Sequence, residues 1–355
     1  MRVDRTYCMS SFLMFRTIAD ENVTFKAGIK PNLFCSSQER SPVRTSMELE
    51  HILRDYVEQE TRGNSAALAL SGGIDSAILA KFMPKGSVAY TFQCHVPGVD
   101  VIDEVPMAAR YAMECGLEHR VVEVYWEDFI RCAPVLMKNK GAPIHSIEVQ
   151  IYKAACQAKT DGFSSMIFGE SADVNFGGMD GLLAKDWKIG EFIDRYSYIL
   201  PHRVLRQPLL ITEPFIPYES DGYIDPHEFV RHEFYREAMG TYQNACTSGG
   251  VQFCAPYSHA FLGEPIDYDR VRNGQSKYLV REIFDRLYPG WDIPAKIPMP
   301  RPMNEWLRDW CGPIRPEFYP HCTDNMSGDQ KWLVWSLETF LNLIDGEYAA
   351  DASNK

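Results

Sequence analysis

Ala66-Ala67-Leu68-Ala69-Leu70-Ser71-Gly72-Gly73-Ile74-Asp75-Ser76-Ala77-Ile78-Leu79-Ala80 is the stretch on which the reading of the chain turns. Five apolar residues in a row, without polar alternation, fit a strand covered on both faces. Two glycines then break the run, and Asp75-Ser76 lead into apolar residues that read as a helix. A glycine-rich turn between a buried strand and a helix aims several backbone N–H groups at one point, the arrangement that holds a phosphate. Gly72 and Gly73 permit close approach of the backbone, and Ser71 and Ser76 add hydroxyl donors. Asp75 would repel a bare phosphate; it fits if Mg2+ lies between them, since magnesium takes carboxylate and phosphate oxygens together. A tight turn capped by Asp75 is the competing reading, and the strand before it and the helix after it favour the phosphate loop.

Outward from this loop the sequence keeps a strand–helix rhythm from about residue 64 to 170. Val88 to Cys94, Arg120 to Val124 and Ser165 to Gly169 read as further strands. Between them, Asp103 can cap a helix with Val105, Ala108, Ala109, Ala112 and Met113 on one face, ended by Gly116. A second helix is expected from Ile144 to Lys159. Strands separated by helices of this length imply an α/β fold, a mostly parallel, doubly wound sheet with right-handed crossovers. Such sheets bind ligands beyond the carboxyl ends of their strands, where the glycines after Leu70 and after Phe168 both fall. From about residue 180 onward the rhythm stops. Helical patterns dominate at Leu182–Leu200, Pro226–Cys246, Gln275–Tyr288 and Gln330–Ile344, with a proline-rich joint at Ile293–Pro302. The expected organisation is an extension over 1–45, a nucleotide-binding α/β domain over 46–180, and a mainly helical region over 181–355 that closes the cleft. Alternation around Phe12–Arg16 and Val23–Lys26 predicts a hairpin in the extension.

Composition narrows the function classes. The 355 residues carry a formal net charge of −12, which argues against a general nucleic-acid binder, because backbone binding wants a basic face. No apolar run approaches the roughly 20 residues that span a bilayer. The short apolar stretch Cys8–Phe15 lacks a cleavage site, so a cytoplasmic enzyme is expected. Ten cysteines, at 8, 35, 94, 115, 132, 156, 246, 254, 311 and 322, include no C-x-x-C pair and read as free thiols.

The loop is not of the G-x-x-x-x-G-K-S/T kind. It resembles the S-G-G-x-D-S loop of the N-type ATP pyrophosphatases, which cleave ATP to AMP and pyrophosphate. The stretch Phe168-Gly169-Glu170-Ser171-Ala172-Asp173-Val174-Asn175-Phe176-Gly177-Gly178-Met179 is similar to the S-G-E-G-A-D-E-x-F-G-G-Y segment of glutamine-dependent asparagine synthetases. Its Gly-Gly-Met end looks more like the related β-lactam synthetases. Gly274-Gln275-Ser276-Lys277-Tyr278-Leu279-Val280-Arg281 resembles the K-x-x-L-R helix of both groups. Carried over position by position, the resemblance implies that Asp75 and Asp173 hold Mg2+ against the pyrophosphate part of ATP. It implies that Glu170 serves amide formation as a base, at a position where the β-lactam enzymes have tyrosine. Lys277 would neutralise charge on the adenylate and the departing pyrophosphate, and Ala69, Cys94 and Gly169 would line the adenine and ribose pocket. The helical pattern places Lys277 on the stripe opposite Val280, Ile283, Phe284 and Leu287, in a first turn where the dipole disfavours a cation. His145 and His259 are lone histidines near Ser or Pro and read as structural.

Departures from the pattern are as informative. Val174 stands where the family has Glu, Asn175 where it has an aliphatic residue, Phe168 where it has Ser, and Met179 where it has Tyr. The nucleophilic Cys and glutaminase half of asparagine synthetases are expected to be missing, since residue 2 is Arg. The resemblance therefore implies an AMP-forming, amide-forming ligase acting on a small-molecule carboxylate. Its nitrogen would come from ammonia, a separate glutaminase subunit or an amine. A tRNA-modifying pyrophosphatase-type enzyme and a degenerate nucleotide-binding partner subunit are the rival readings; no nucleic acid and no membrane are expected as partners.

Overall fold

A computed structural model describes residues 1–32, 34, 40–63, 65–295, 297 and 299–346. Its centre is a five-stranded sheet made of β1 (Ala66–Ala69), β2 (Val88–Cys94), β3 (Glu118–Val124), β4 (Ser165–Ile167) and β5 (Gln252–Cys254). The order is β5-β4-β1-β2-β3, and every neighbouring pair is parallel. The loop-bearing strand β1 is therefore central, with Leu68 in register with Ala89 on one side and Ile167 on the other.

The period of two along β1 splits the core into the layers of a doubly wound sheet. Ala66, Leu68 and Leu70 face a cluster built from α2 (Ser46–Glu60), α3 (Ile74–Ala80), α4 (Val105–Cys115) and α8 (Tyr278–Leu287). Ala67 and Ala69 face the opposite cluster, from α6 (Ile147–Thr160) and α7 (Tyr235–Gly249). The four predicted strands and the predicted helix ended by Gly116 are present, the glycine in the left-handed conformation at φ 68°. Helix α5 (Trp126–Lys140) covers a third part of the core together with α1 (Arg5–Phe15) and α9 (Gly328–Asp345).

Two expectations are corrected. The sheet takes a fifth strand, β5, from beyond residue 180, where only helices were expected. Three residues at a sheet edge are too short to show a period, and the signal that precedes them is the Gly249-Gly250 break, with Gly250 left-handed at φ 84°. The expected N-terminal hairpin is instead helix α1, capped by the Asp4 side chain, which accepts the Tyr7 N–H at 2.9 Å. All residues from Cys8 to Phe15 are buried, Ser10 and Ser11 included, so this part of the helix is buried all round and shows no 3.6-residue stripe by which sequence could reveal it. Val23–Thr24 pairs in parallel with Arg2–Val3.

The helical stretches differ in detail as well. Leu182–Leu200 breaks into Asp180–Leu183 and Ile189–Tyr196, with Trp187–Lys188 forming a short strand between them. Pro226–Cys246 runs through a π-helical turn, Val230–Phe234, into α7. Nine cysteines are described and all are free thiols; Cys35 lies outside the described residues. Among the described residues no helix is long and apolar enough to cross a membrane.

Candidate active site

Both glycine-bearing loops lie side by side at the carboxyl ends of β1 and β4. The first is held by its own serines. The Ser71 N–H donates to Ser76 Oγ at 3.0 Å, the two hydroxyls lie 2.9 Å apart, and the Gly73 N–H donates to Ser71 Oγ at 3.2 Å. The second loop comes very close to it at Gly169. A Cβ there would lie 2.9 Å from the Ser76 nitrogen and 3.0 Å from Asp75 Cβ, so only glycine allows the approach.

Three charged side chains meet over these loops. Lys277 Nζ lies 2.8 and 2.7 Å from the two carboxylate oxygens of Asp75 and 2.9 Å from Asp173 Oδ1. Burial disfavours the ammonium, but Asp75 and Asp173 more than offset this and hold its pKa above the ordinary lysine value. Lys277 is not on an exposed helical stripe. It precedes α8 in the left-handed conformation at φ 52°, only 7% exposed, and this correction follows from its two carboxylate partners. Backbone strain in a non-glycine residue of this kind concentrates at functional sites. Gly178 seals the cluster, for a Cβ there would sit 2.1 Å from Asp173 Oδ1 and 2.7 Å from Lys277 Cδ.

Among the described residues no group of three or more His, Cys, Asp or Glu could hold a metal alone. Two carboxylates converging on one cation is the donor set that suits Mg2+ when phosphate oxygens complete its shell. Asp75 and Asp173 thus fit the metal that the sequence implied.

Glu170 lies in the same cavity. Burial pushes its carboxyl up to about 7; the Ser171 N–H, donating at 2.9 Å, and the Tyr242 hydroxyl oppose the rise, while the Asp173 charge adds to it. Tyr242 on α7 is itself held protonated, by burial first and by the Glu170 charge second. A carboxyl poised near neutrality is suited to take or give a proton at physiological pH.

Ala69, Ser71, Gly73, Asp75, Ser76, Gly169, Glu170, Asp173 and Lys277 all line this cavity of about 270 Å³. Gly72 stands behind it, its N–H donating to Glu104 Oε1 at 3.2 Å. Cys94 stands apart. It ends β2 with its thiol 3.5 Å from the Pro300 carbonyl, buried in the core that includes Val124, Phe129 and Val149, and burial raises its pKa to about 12. His145 is buried against Arg16 at 2.8 Å, and burial first, then the charge of Arg16, keeps it neutral. His259 packs against Tyr56 with the rings tilted by 40° and their centroids 4.3 Å apart.

Two lining residues escaped the sequence reading. Glu104 was overshadowed by Asp103, whose Oδ1 does accept the Val105 N–H at 2.8 Å, leaving the Glu104 carboxylate free to turn onto the loop. Burial raises the Glu104 pKa to about 7, against the Gly72 N–H. Tyr242 carried no signal, being a single aromatic residue 72 positions after Glu170.

The departures acquire physical reasons. Asn175 is fully buried, accepts from Arg40 and donates to the Tyr257 carbonyl at 3.0 Å. Val174 packs among Met14, Phe15 and Phe192. Both substituted residues therefore face the N-terminal segment rather than the cavity. Phe168 packs edge-on against Tyr242, with centroids 5.2 Å apart.

A parallel, doubly wound α/β sheet with a glycine loop at the carboxyl end of its central strand defines an open α/β fold of the kind that holds ligands at that edge. More narrowly, the chain belongs to the asparagine synthase family, whose family model matches residues 48–243. A Methanocaldococcus jannaschii protein described as an asparagine synthetase of the glutamine-hydrolysing type is 25% identical over 145 residues, 40% of this chain and 26% of that protein. The match thus spans about a quarter of that relative's length. Among solved structures, the U34-tRNA thiolase NcsA of Methanococcus maripaludis is 13% identical with a TM-score of 0.29, covering 71% of this chain and 82% of its own. The NMN synthetase of Francisella tularensis is also 13% identical, with a TM-score of 0.26 and coverage of 72% and 99%. At these scores neither bears on what this chain does.

Proposed function

We propose that the protein is an ATP-dependent, amide-forming ligase that activates a carboxylate as its adenylate. The observation that carries this reading is the convergence of Asp75, Asp173 and Lys277 within 2.9 Å contacts above the glycine loop, with Glu170 in the same cavity. ATP lies with its phosphates at Ser71–Ser76 and its base and ribose toward Ala69 and Gly169. A substrate carboxylate oxygen bonds to the α-phosphorus, and the bond to pyrophosphate breaks. A nitrogen nucleophile then bonds to the acyl carbon and AMP leaves with the electrons of the acyl–oxygen bond. Mg2+, held by Asp75 and Asp173, would neutralise charge on the pyrophosphate group. Lys277 supplies a fixed positive charge where negative charge accumulates, in a buried site where such charges act strongly. Glu170 takes the proton from the attacking nitrogen, and the Tyr242 hydroxyl holds its carboxylate in place.

Ammonia, an amine substrate or a separate glutaminase supplies the nitrogen. The test is a screen of carboxylic acids for substrate-dependent exchange of labelled pyrophosphate into ATP, with Asp173→Ala and Lys277→Ala as controls. Exchange by wild type and none by the controls is expected. Formation of ADP and phosphate in place of AMP and pyrophosphate would overturn the mechanism.

A further inference from the structure

Past Gly178 the nucleotide cavity borders a second cavity, of about 360 Å³, and Gly178 and Asp180 line both. Its walls are Met179, Leu182, Tyr196, Tyr198 and Phe234, with Arg195 at its mouth. One helix serves both cavities. Phe234 immediately precedes α7 and lies eight residues before Tyr242, about 12 Å along the axis at the helical rise. Phe234 also ends the π-helical turn Val230–Phe234, a distortion found frequently at functional sites.

The aromatic walls are fixed from behind. The buried Arg16 guanidinium lies 3.9 Å from the Tyr198 ring centroid and 5.8 Å from that of Phe234, and is held by Glu237 at 2.8 Å. Arg195 is different. Its Nη2 would lie 2.6 Å from a Cβ at Gly181, so glycine gives it room, and among the described residues it makes no ion pair or side-chain hydrogen bond. Asp180 likewise makes none, and its negative charge stands at the junction between the cavities.

We propose that this second cavity receives the body of the acyl substrate, and that the substrate is a carboxylic acid whose planar or aromatic body carries a second anionic group read by Arg195. The proposal rests on the adenylation reading. The shared wall at Gly178 packs on Asp173 and Lys277, so an acid reacting beside those groups extends its body past Gly178 toward Phe234 and Tyr198. A short diacid such as succinate would bring both charges against Asp180. An apolar body that separates them sets the far charge on Arg195, a bidentate donor for carboxylates.

Three probe acids separate the features: p-phenylenediacetate has a ring and two carboxylates, hydrocinnamate a ring and one, and succinate two without a ring. Two readouts are used, pyrophosphate exchange and calorimetric binding in the presence of a non-hydrolysable ATP analogue. Wild type is expected to bind and exchange best with p-phenylenediacetate. Arg195→Gln should weaken that acid about tenfold or more, leaving hydrocinnamate and ATP within about twofold. Phe234→Ala should weaken both ring-bearing acids. Binding that responds to these variants without any exchange would uphold the cavity and defeat the adenylation reading. Exchange that prefers succinate, that ignores Arg195→Gln, or an absence of binding by every probe would overturn the proposal.

Discussion

The two glycine loops at the edge of the sheet are built in opposite ways. Ser71–Ser76 is closed mainly by bonds within itself, serine to serine and serine to backbone, to which Glu104 on Gly72 and Lys277 and Tyr257 on Asp75 add from outside. Glu170–Gly178 is held from outside: Arg40 and the Tyr257 carbonyl on Asn175, Met14 and Phe15 on Val174, Met239 on Ser171, and Lys277 against Gly178. A loop that satisfies itself can be recognised from six residues. One assembled by distant partners leaves its sequence to be set by those partners, and this chain departs from the motif at Val174 and Asn175, which such partners hold.

The largest expected effect is on the second loop. Gly178→Ala must push Asp173 or Lys277 aside, and should lower pyrophosphate exchange about a thousandfold, as Lys277→Ala should. Exchange within tenfold of wild type, in a variant with an unchanged circular dichroism spectrum, would show that the cluster need not be held so tightly. Glu170→Gln should spare exchange but lower amide formation about a hundredfold or more. The sign with pH follows from a carboxyl raised to about 7: the base form grows as pH rises, so single-turnover amide formation should climb through about neutral pH and then level off. A flat profile would remove Glu170 as the base.

Asn175→Leu restores an aliphatic residue at this position but strips Arg40 of its acceptor. It should destabilise the protein by about 1–3 kcal/mol in urea unfolding, with kcat little changed. Unaltered stability would mean that the second loop does not depend on the N-terminal segment. The smallest effect belongs to the first loop. Glu104, raised to about 7, is charged above that pH and faces the loop proposed to take phosphate. Glu104→Gln should therefore tighten ATP binding a few fold on the alkaline side and leave it unchanged on the acid side, measured by calorimetry. Tightening that is equal on both sides would detach the effect from the charge.

The parallel sheet was legible because four strands and the glycines at their ends are local patterns, as were Asp75, Glu170, Asp173 and Lys277 through motif resemblance. Three things were not. The chemistry of Tyr242 depends on α7 crossing the strand end at the right height, which no neighbouring residue encodes. Strand β5 is three residues long and becomes a strand only by pairing with β4. Helix α1 is buried on all sides, so the solvent-facing stripe that betrays most helices is absent. Cys94 misled for a related reason. The motif supplied its place on β2, but whether that place opens on the cavity is decided by the Met299–Arg301 segment laid over it.

Helix α1 has a consequence for biosynthesis. Arg5 reaches Asp345 on α9, 340 positions away, and Phe25 meets Phe340 edge-on at 4.9 Å between centroids. Helix α1 is thus completed by a helix that is synthesised long after it. Closing so long a loop adds little to the equilibrium cost, since that cost grows only with the logarithm of length. It does leave Phe12, Leu13 and their neighbours without their α9 partners until that helix has been made, and exposed apolar surface in such an interval favours aggregation.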